Sequence, residues 1–433
     1  MLGKTLEDYE KDMTRCARCS LCKWPPLAQV KSIRYSQVCP AISKYNFHSY
    51  SGGGKMIIGL SKLRGRVDYS EEMLNVIYRC SVCGACDISC KYSRDLEPLE
   101  ILHTLRATCV KDGVAPLPAH RPILDSMRNY DNVWQQPRKK KGSWAKKLDV
   151  KNAKEQPVDT LYFAGCTYSL RPEMQGIART TVEVLQSAGV DLGILGEEEL
   201  CCGSPAYTIG DEELFVENAR KNIKALNSLG VRRVVTSCAG CFGVLKTKYP
   251  LVEPANFEVV NVTELLAELV EQGRLSFSRP LDRTITYHDP CHLGRQSETY
   301  KPWHGVERKV LNHLVIQDPP KEFNRGTYGV YEAPRKVLAA LPGLELTEME
   351  RIREFSFCCG SGGGAKSAFP EFALATARER VDEAESTGAE MLVTACPWCE
   401  SNLSEGIADA GSRLKSASII ELVSYALGGG ELS

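Results

Sequence analysis

Residues 200–204 read LCCGS and residues 358–361 read CCGS, so the chain twice sets two cysteines side by side and follows them with glycine. Adjacent cysteines are badly placed to bridge each other, which removes a disulfide as the default explanation. Each pair sits inside a repeated pattern. LYFAGC (161–166) answers to ITYHDPC (285–291), VRRVVTSCAGC (231–241) to AEMLVTACPWC (389–399), and NVTELLAELV (261–270) to ASIIELVSYAL (417–427). The chain therefore contains a duplicated unit, read as residues 158–278 and 281–428.

Within each unit, short apolar runs such as VDTLYFAGC (158–166), VDLGIL (190–195) and VRRVVTSC (231–238) alternate with helical patterns such as ELFVENARKNIKALNSLG (213–230). Strands alternating with helices predict α/β units with mainly parallel sheets. The copies differ in one gap: 34 residues separate Cys166 from Cys201, but 66 separate Cys291 from Cys358. An insertion in the second unit is expected around residues 299–330.

Each unit carries five cysteines: Cys166, Cys201, Cys202, Cys238 and Cys241 in the first, and Cys291, Cys358, Cys359, Cys396 and Cys399 in the second. Placed at the carboxyl ends of strands, they converge where open α/β sheets build their sites. Five thiolates exceed the four ligands that a cubane or a tetrahedral zinc uses, so a plain cubane would leave one thiol idle in both copies.

The N-terminal part, residues 1–125, reads as a small helical domain with eight more clustered cysteines. Cys80-x2-Cys83-x2-Cys86-x3-Cys90 is the bacterial ferredoxin run, in which three thiolates hold one cluster and the fourth reaches across to another. Its partner is Cys16-x2-Cys19-x2-Cys22 with Cys39-Pro40, where 16 residues stand between the third and fourth cysteines. The swapped assignment gives Cys16, Cys19, Cys22 and Cys90 to one cluster and Cys39, Cys80, Cys83 and Cys86 to the other. Two four-cysteine zinc sites are the competing reading, although such sites usually pair two C-x2-C knuckles.

Composition agrees with a redox protein. Nineteen cysteines in a chain that lacks a secretory signal point to metal binding. With 43% apolar and 25% charged residues the chain is globular, and 54 basic against 54 acidic residues give no overall field for nucleic acid or an anionic membrane. No stretch is long and apolar enough to span a bilayer. The expected location is the cytoplasm, peripheral to a membrane only through a partner.

At these cysteines the sequence resembles the cysteine-rich CCG domain proteins, typified by the catalytic subunits of heterodisulfide reductase. The order of ferredoxin-type domain and two CCG units is similar to the D-type subunits of that enzyme. It also resembles iron–sulfur subunits of glycolate, lactate and anaerobic glycerol-3-phosphate dehydrogenases, and electron-feeding subunits of complexes such as class II benzoyl-CoA reductase. The resemblance implies two cubane 4Fe–4S clusters in the N-terminal domain and a non-cubane 4Fe–4S cluster on the five cysteines of each CCG unit. It further implies a substrate disulfide entering between the non-cubane clusters, each of which supplies one electron.

The fold expected is thus α+β and multidomain: a helical ferredoxin-type domain (1–125), a basic linker (126–157) and two CCG domains (158–278, 281–428). The linker holds RKKKGSWAKKLDVK (138–151), seven Lys or Arg against one Asp, and reads as a solvated connection or as a docking segment for an acidic partner. CPWC (396–399) fits a thioredoxin-like pair in isolation, but CAGC (238–241) in the matching place favours cluster ligation. GSGGGAKS (360–367) lacks the glycine a P-loop needs before lysine, so its glycines are read as letting backbone amides approach cluster sulfurs. SGGG (51–54) reads as a turn, and Cys109 as a buried apolar residue in a helix. His288 and His292 flank Cys291 and serve either as a proton relay or as donors that orient the site.

The function expected is an iron–sulfur electron-transfer subunit of an anaerobic redox complex, with a catalytic disulfide reductase subunit as the alternative. Lacking a flavin or nicotinamide fingerprint, the chain needs a flavoprotein, quinone-linked or reductase partner in a hetero-oligomer.

Overall fold

A computed structural model describes residues 2–299 and 303–430. Up to residue 150 the described residues form helices and loops. The N-terminal core gathers Met13, Met56, Ile77, Ile101, Leu105 and Cys109, and Cys109 is buried on the helix Pro98–Lys111 as expected. SGGG is not a turn. It opens the helix Gly52–Leu63, with Ser51 as N-cap accepting from the Gly54 amide. Glycine is required there by close packing: a Cβ on Gly52 would lie 2.8 Å from the Cys86 Cβ, and one on Gly54 would run into the His48 carbonyl oxygen.

The first α/β unit has strands β1 (Lys151–Asn152), β2 (Thr160–Tyr162), β3 (Leu192–Ile194), β4 (Arg233–Thr236) and β5 (Glu258–Asn261). All are parallel, in the order β1-β3-β2-β4-β5. The second has β6 (Arg283–His288), the hairpin β7 (Val306–Val310) and β8 (Leu314–Asp318), then β9 (Leu344–Leu346), β10 (Met391–Thr394) and β11 (Lys415–Ser418). Its sheet, also parallel, runs β9-β6-β10-β11. Taken from the same edge, β3-β2-β4-β5 and β9-β6-β10-β11 are the same topology. The duplication extends to detail: β5 and β11 each end on the N-cap of a helix closed by a capping box, Asn261 with Glu264 and Ser418 with Glu421. Such caps contribute about 1 kcal/mol each.

The helix Glu212–Leu229 shows why these segments fold as they do. Asp211 caps its first turn, Gly230 closes it at φ 65°, and Leu214, Phe215, Ala219, Ile223 and Leu226 return to one buried face at helical spacing.

The basic segment is only partly solvated: its other Lys and Arg are exposed, but Lys141 is fully buried, Trp144 packs edge-on to Tyr162 at 6.0 Å, and Lys151–Asn152 adds an edge strand to the first sheet. The buried Glu199 carboxylate supplies the countercharge that lets a lysine from a basic run enter the interior. The insertion of the second unit forms the exposed β7–β8 hairpin, and its return packs on the N-terminal domain, where Lys321 pairs with Asp95 and Arg325 lies over Tyr92.

Candidate metal centres and a shared cavity

In the N-terminal domain Cys16, Cys19, Cys22 and Cys90 surround one small pocket, with Arg18, His48 and Arg94 at its wall. The Gly53 amide donates to the Cys22 sulfur at 3.3 Å. Cys39, the N-cap of the helix Pro40–Tyr45, lies beside Cys80 and Cys83 despite the long gap before it. The intervening loop spans to the second unit, where Arg34 reaches Glu379 and Asp382. Burial pushes the Cys39 thiol up to about 12, against the pull of Lys55.

In the CCG units the strands aim the cysteines at one another. Cys238 and Cys396 follow β4 and β10 as N-caps of the helices Ala239–Thr247 and Pro397–Ala410, and Cys241 and Cys399 stand one turn further on. Cys166 and Cys291 follow β2 and β6. The two adjacent pairs come in on loops, and the glycine after each has a left-handed backbone, φ 84° at Gly203 and 93° at Gly360. A Cβ on Gly203 would lie 2.8 Å from the Phe215 ring. The glycine therefore turns the chain sharply so that both preceding sulfurs face inward. At the second pair the Gly360 amide donates to the Cys358 sulfur at 3.3 Å.

The sulfurs form one continuous series of contacts. Cys83 of the N-terminal domain touches Cys358, which touches Cys291 and Cys359; Cys359 touches Cys399, and Cys399 touches Cys396. Cys396 touches Cys238 of the first unit, and the series ends through Cys241, Cys202, Cys201 and Cys166. Contact with Cys201 and burial hold the Cys166 thiol well above its ordinary range, as contact with Cys291 and Cys359 does at Cys358. Cys202, Cys359 and Cys396 are held well below that range, chiefly by hydrogen bonds from Cys201, Cys358 and Cys238, so each set already contains sulfur poised to bind a cation as thiolate. Soft, sulfur-only donor sets suit iron–sulfur clusters rather than magnesium or calcium.

Charged groups that the cysteine pattern does not reveal hold these sets. In the first unit the Lys141 ammonium donates to the Glu199 carbonyl at 2.7 Å and lies 3.4 Å from its carboxylate. That carboxylate accepts from the Ala164 and Gly165 amides, fixing the strand end that presents Cys166. In the second unit the tie runs from the other side: Asp289, at the strand end before Cys291, pairs with Arg335 and accepts from the Arg353 amide. The Arg295 guanidinium donates to the Cys83 carbonyl at 2.6 Å and to the Ser356 carbonyl at 2.7 Å, joining the N-terminal domain to the CCG loop. Arg106 bridges all three parts, donating to the carbonyls of Cys80, Thr208 and Gly363. The glycines of GSGGGAKS play two roles. Gly360 reaches a sulfur, while Gly362 and Gly363 leave room for the Ser81 and Cys80 carbonyls, each 2.8 Å from where a Cβ would stand.

His288 and His292 separate. The His288 Nδ1 accepts from the Arg380 Nε at 3.1 Å, which leaves Nε2 carrying the proton toward Cys359. Its ring lies with the Cys359 and Cys399 sulfurs in a group whose possible ligand atoms are all within 4.8 Å of one another. His292 lines the main cavity.

That cavity, about 300 Å³, is bordered by all ten cysteines of the two CCG sets. Trp134 and Trp398, stacked at 5.4 Å, make an apolar wall, and Arg171 lies over the Trp134 ring. Lys366 also lines it, paired with Glu405. Among the described residues the insertion, including the β7–β8 hairpin, contributes none to the lining.

Residues 12–93 match the 4Fe-4S dicluster domain family, and residues 160–246 and 321–404 match the Cysteine-rich domain family, CCG. Fold and site together define an iron–sulfur oxidoreductase component. The chain belongs to the family of heterodisulfide reductase D subunits: it is 33% identical, over 96% of its length and 94% of the relative's, to the D subunit of the dihydromethanophenazine:CoB--CoM heterodisulfide reductase of Methanosarcina barkeri. It is 30% identical to the EtfAB:quinone oxidoreductase of Syntrophomonas wolfei over 80% of this chain and 46% of that one. The B subunit of the fumarate reductase (CoM/CoB) of Methanothermobacter marburgensis is 28% identical over 81% of this chain and 61% of that one. These relatives include components of multi-subunit redox complexes. A hypothetical protein from Helicobacter pylori shares the fold, with a TM-score of 0.50 at 11% identity over 88% of this chain and 68% of that one. No helix among the described residues is long and apolar enough to cross a membrane.

Proposed function

We propose that this chain carries electrons from its N-terminal domain to the paired CCG sites, and that a disulfide is reduced in the cavity between them. Its domains are residues 1–125, 158–278 and 281–428, with 126–157 joining the first unit. Cys16, Cys19, Cys22 and Cys90, and Cys39, Cys80, Cys83 and Cys86, would hold two cubane 4Fe–4S clusters. The two five-cysteine sets would each hold a non-cubane 4Fe–4S cluster. When bound, the clusters supply one-electron steps along the chain, so that two electrons reach the cavity.

The observation that carries this reading is that both five-cysteine sets border one cavity. Splitting a disulfide consumes two electrons and two protons and yields two thiols. The electrons come from a redox partner protein. His292 and Lys366 stand at the cavity wall, able to hold protons for the nascent thiolates; Lys366 pairs there with Glu405, and Arg171 with Glu173. The tryptophan pair excludes water from one side. The packing of Cys83 with Cys358 in one buried cluster supports a route that reaches the second unit first.

A second reading, an electron carrier that serves a flavoprotein or quinone-linked partner, is favoured by the likeness to an EtfAB:quinone oxidoreductase. Either way the chain works in the cytoplasm, at a membrane only through its partner. Anaerobic protein given reduced viologen and a disulfide decides between them. The catalytic reading requires two thiols per disulfide consumed; no thiol release, with electrons passing only to an added flavoprotein, leaves the carrier reading.

A further inference from the structure

From residue 13 to residue 67 the chain carries ten Lys or Arg and no Asp or Glu, within a protein whose 54 basic and 54 acidic residues otherwise cancel. Internal partners neutralise part of this excess: Arg34 pairs with Glu379 and Asp382, Arg64 pairs with Glu10, and Lys55 is buried. Arg15, Arg18, Lys31, Lys44 and Arg66 are exposed and form no ion pair among the described residues. Arg18 and Arg94 stand at the pocket of Cys16, Cys19, Cys22 and Cys90, and the charge of Lys23 joins that of Arg18 at His48 on its wall. Cys19 is the one exposed cysteine of the nineteen.

Apolar side chains stand among these charges. Phe47, next to His48, is 67% exposed, Tyr92 is 56% exposed, and on the loop after Lys23 Leu27 and Ile33 are 85% and 94% exposed. Phe47 beside His48 sets an exposed aromatic ring next to the charges of Arg18, Lys23 and Arg94, the composition of a protein interface in which charge steers and apolar contact holds.

We propose that this surface is the docking face for an acidic redox protein that exchanges electrons at the Cys19 end of the N-terminal domain, a reading that rests on electrons entering there. One electron leaves the partner's reduced group and is taken up by this chain; no bond forms and no proton moves. A protein partner is favoured over an anionic lipid surface because Arg18 and Arg94 stand at the pocket of the most exposed cysteine, where a lipid headgroup has no electron to give.

The test measures binding of an acidic flavodoxin to the full-length, anaerobically purified protein with its iron loaded. Between about 50 and about 500 mM salt the affinity falls at least about tenfold. At low salt the triple variant R18E/K23E/R94E loses affinity to a similar extent while keeping its iron content. Binding that is absent, or unmoved by salt, overturns the proposal. So does loss, in the triple variant, of binding to phosphatidylglycerol vesicles with flavodoxin binding intact. If flavodoxin binds in this way but no disulfide is then reduced, the docking face stands and the proposed reaction fails.

Discussion

Arg106 offers the sharpest test of how the three parts are joined. Its guanidinium is fully buried and donates at 2.7 Å to the Thr208 carbonyl of the first unit, at 2.8 Å to Gly363 of the second and at 2.8 Å to Cys80 of the N-terminal domain. Burial pulls its pKa down, so the carbonyls hold the charge without a carboxylate. Arg106→Met keeps most of the volume and removes every donor. Each orphaned buried carbonyl costs about 1–3 kcal/mol, so the three short bonds alone set a loss of about 3 kcal/mol at the lower end of that range. Urea unfolding under anaerobic conditions, followed together with cluster absorbance, should show a lowered midpoint and earlier loss of the N-terminal signals. An unchanged midpoint would refute the idea that this residue joins the domains.

Lys141→Met leaves the Glu199 carboxylate buried without its countercharge and should cost about 3–5 kcal/mol, whereas Lys141→Met with Glu199→Gln should recover part of that loss in the same unfolding assay. Burial, with Arg106 nearby, lowers the His120 pKa to about 4 from its ordinary 6.5. His120 is therefore neutral in the fold, and the unfolded chain takes up the proton first. The stability it contributes, about 3 kcal/mol, is complete above pH 6.5 and is lost as pH falls toward about 4. Denaturation midpoints at pH 7 and pH 5 should converge in His120→Gln. Gly362→Val places a side chain against the Ser81 carbonyl, 2.8 Å from the Cβ position, and should part Cys83 from Cys358. Stopped-flow reduction of the CCG-unit centres by flavodoxin should slow at least about tenfold, with iron content unchanged.

The parts of this fold legible in the sequence are those written as short local patterns. The duplication, the parallel sheets and the ten CCG-unit cysteines follow from strand–helix alternation and from two matching CCG runs. Cys39 is harder, because its gap departs from the ferredoxin run; only the path of the loop to Glu379 and Asp382 shows how it reaches Cys80 and Cys83. The buried cations carry no local signal. Lys141 sits in a run of seven basic residues, and its burial depends on Glu199, which lies 58 positions later and is brought close only by the tertiary fold. Arg106 and Arg295 look like ordinary charged residues because their partners are backbone carbonyls, which leave no mark in the sequence. SGGG (51–54) reads as a turn because glycine normally weakens a helix; here the packing of Cys86 and the His48 carbonyl against that first turn outweighs the propensity cost of about 1 kcal/mol per glycine.

The central claim is that two five-cysteine centres act together on one disulfide. Its most direct test is to load the anaerobic, reduced protein with one equivalent of a disulfide and freeze it for EPR, with iron determined on the same sample. The account predicts about 16 irons per chain, simultaneous change of the signals from both CCG units, and two thiols released. About eight irons, zinc in their place, or change in one unit's signal alone would contradict it.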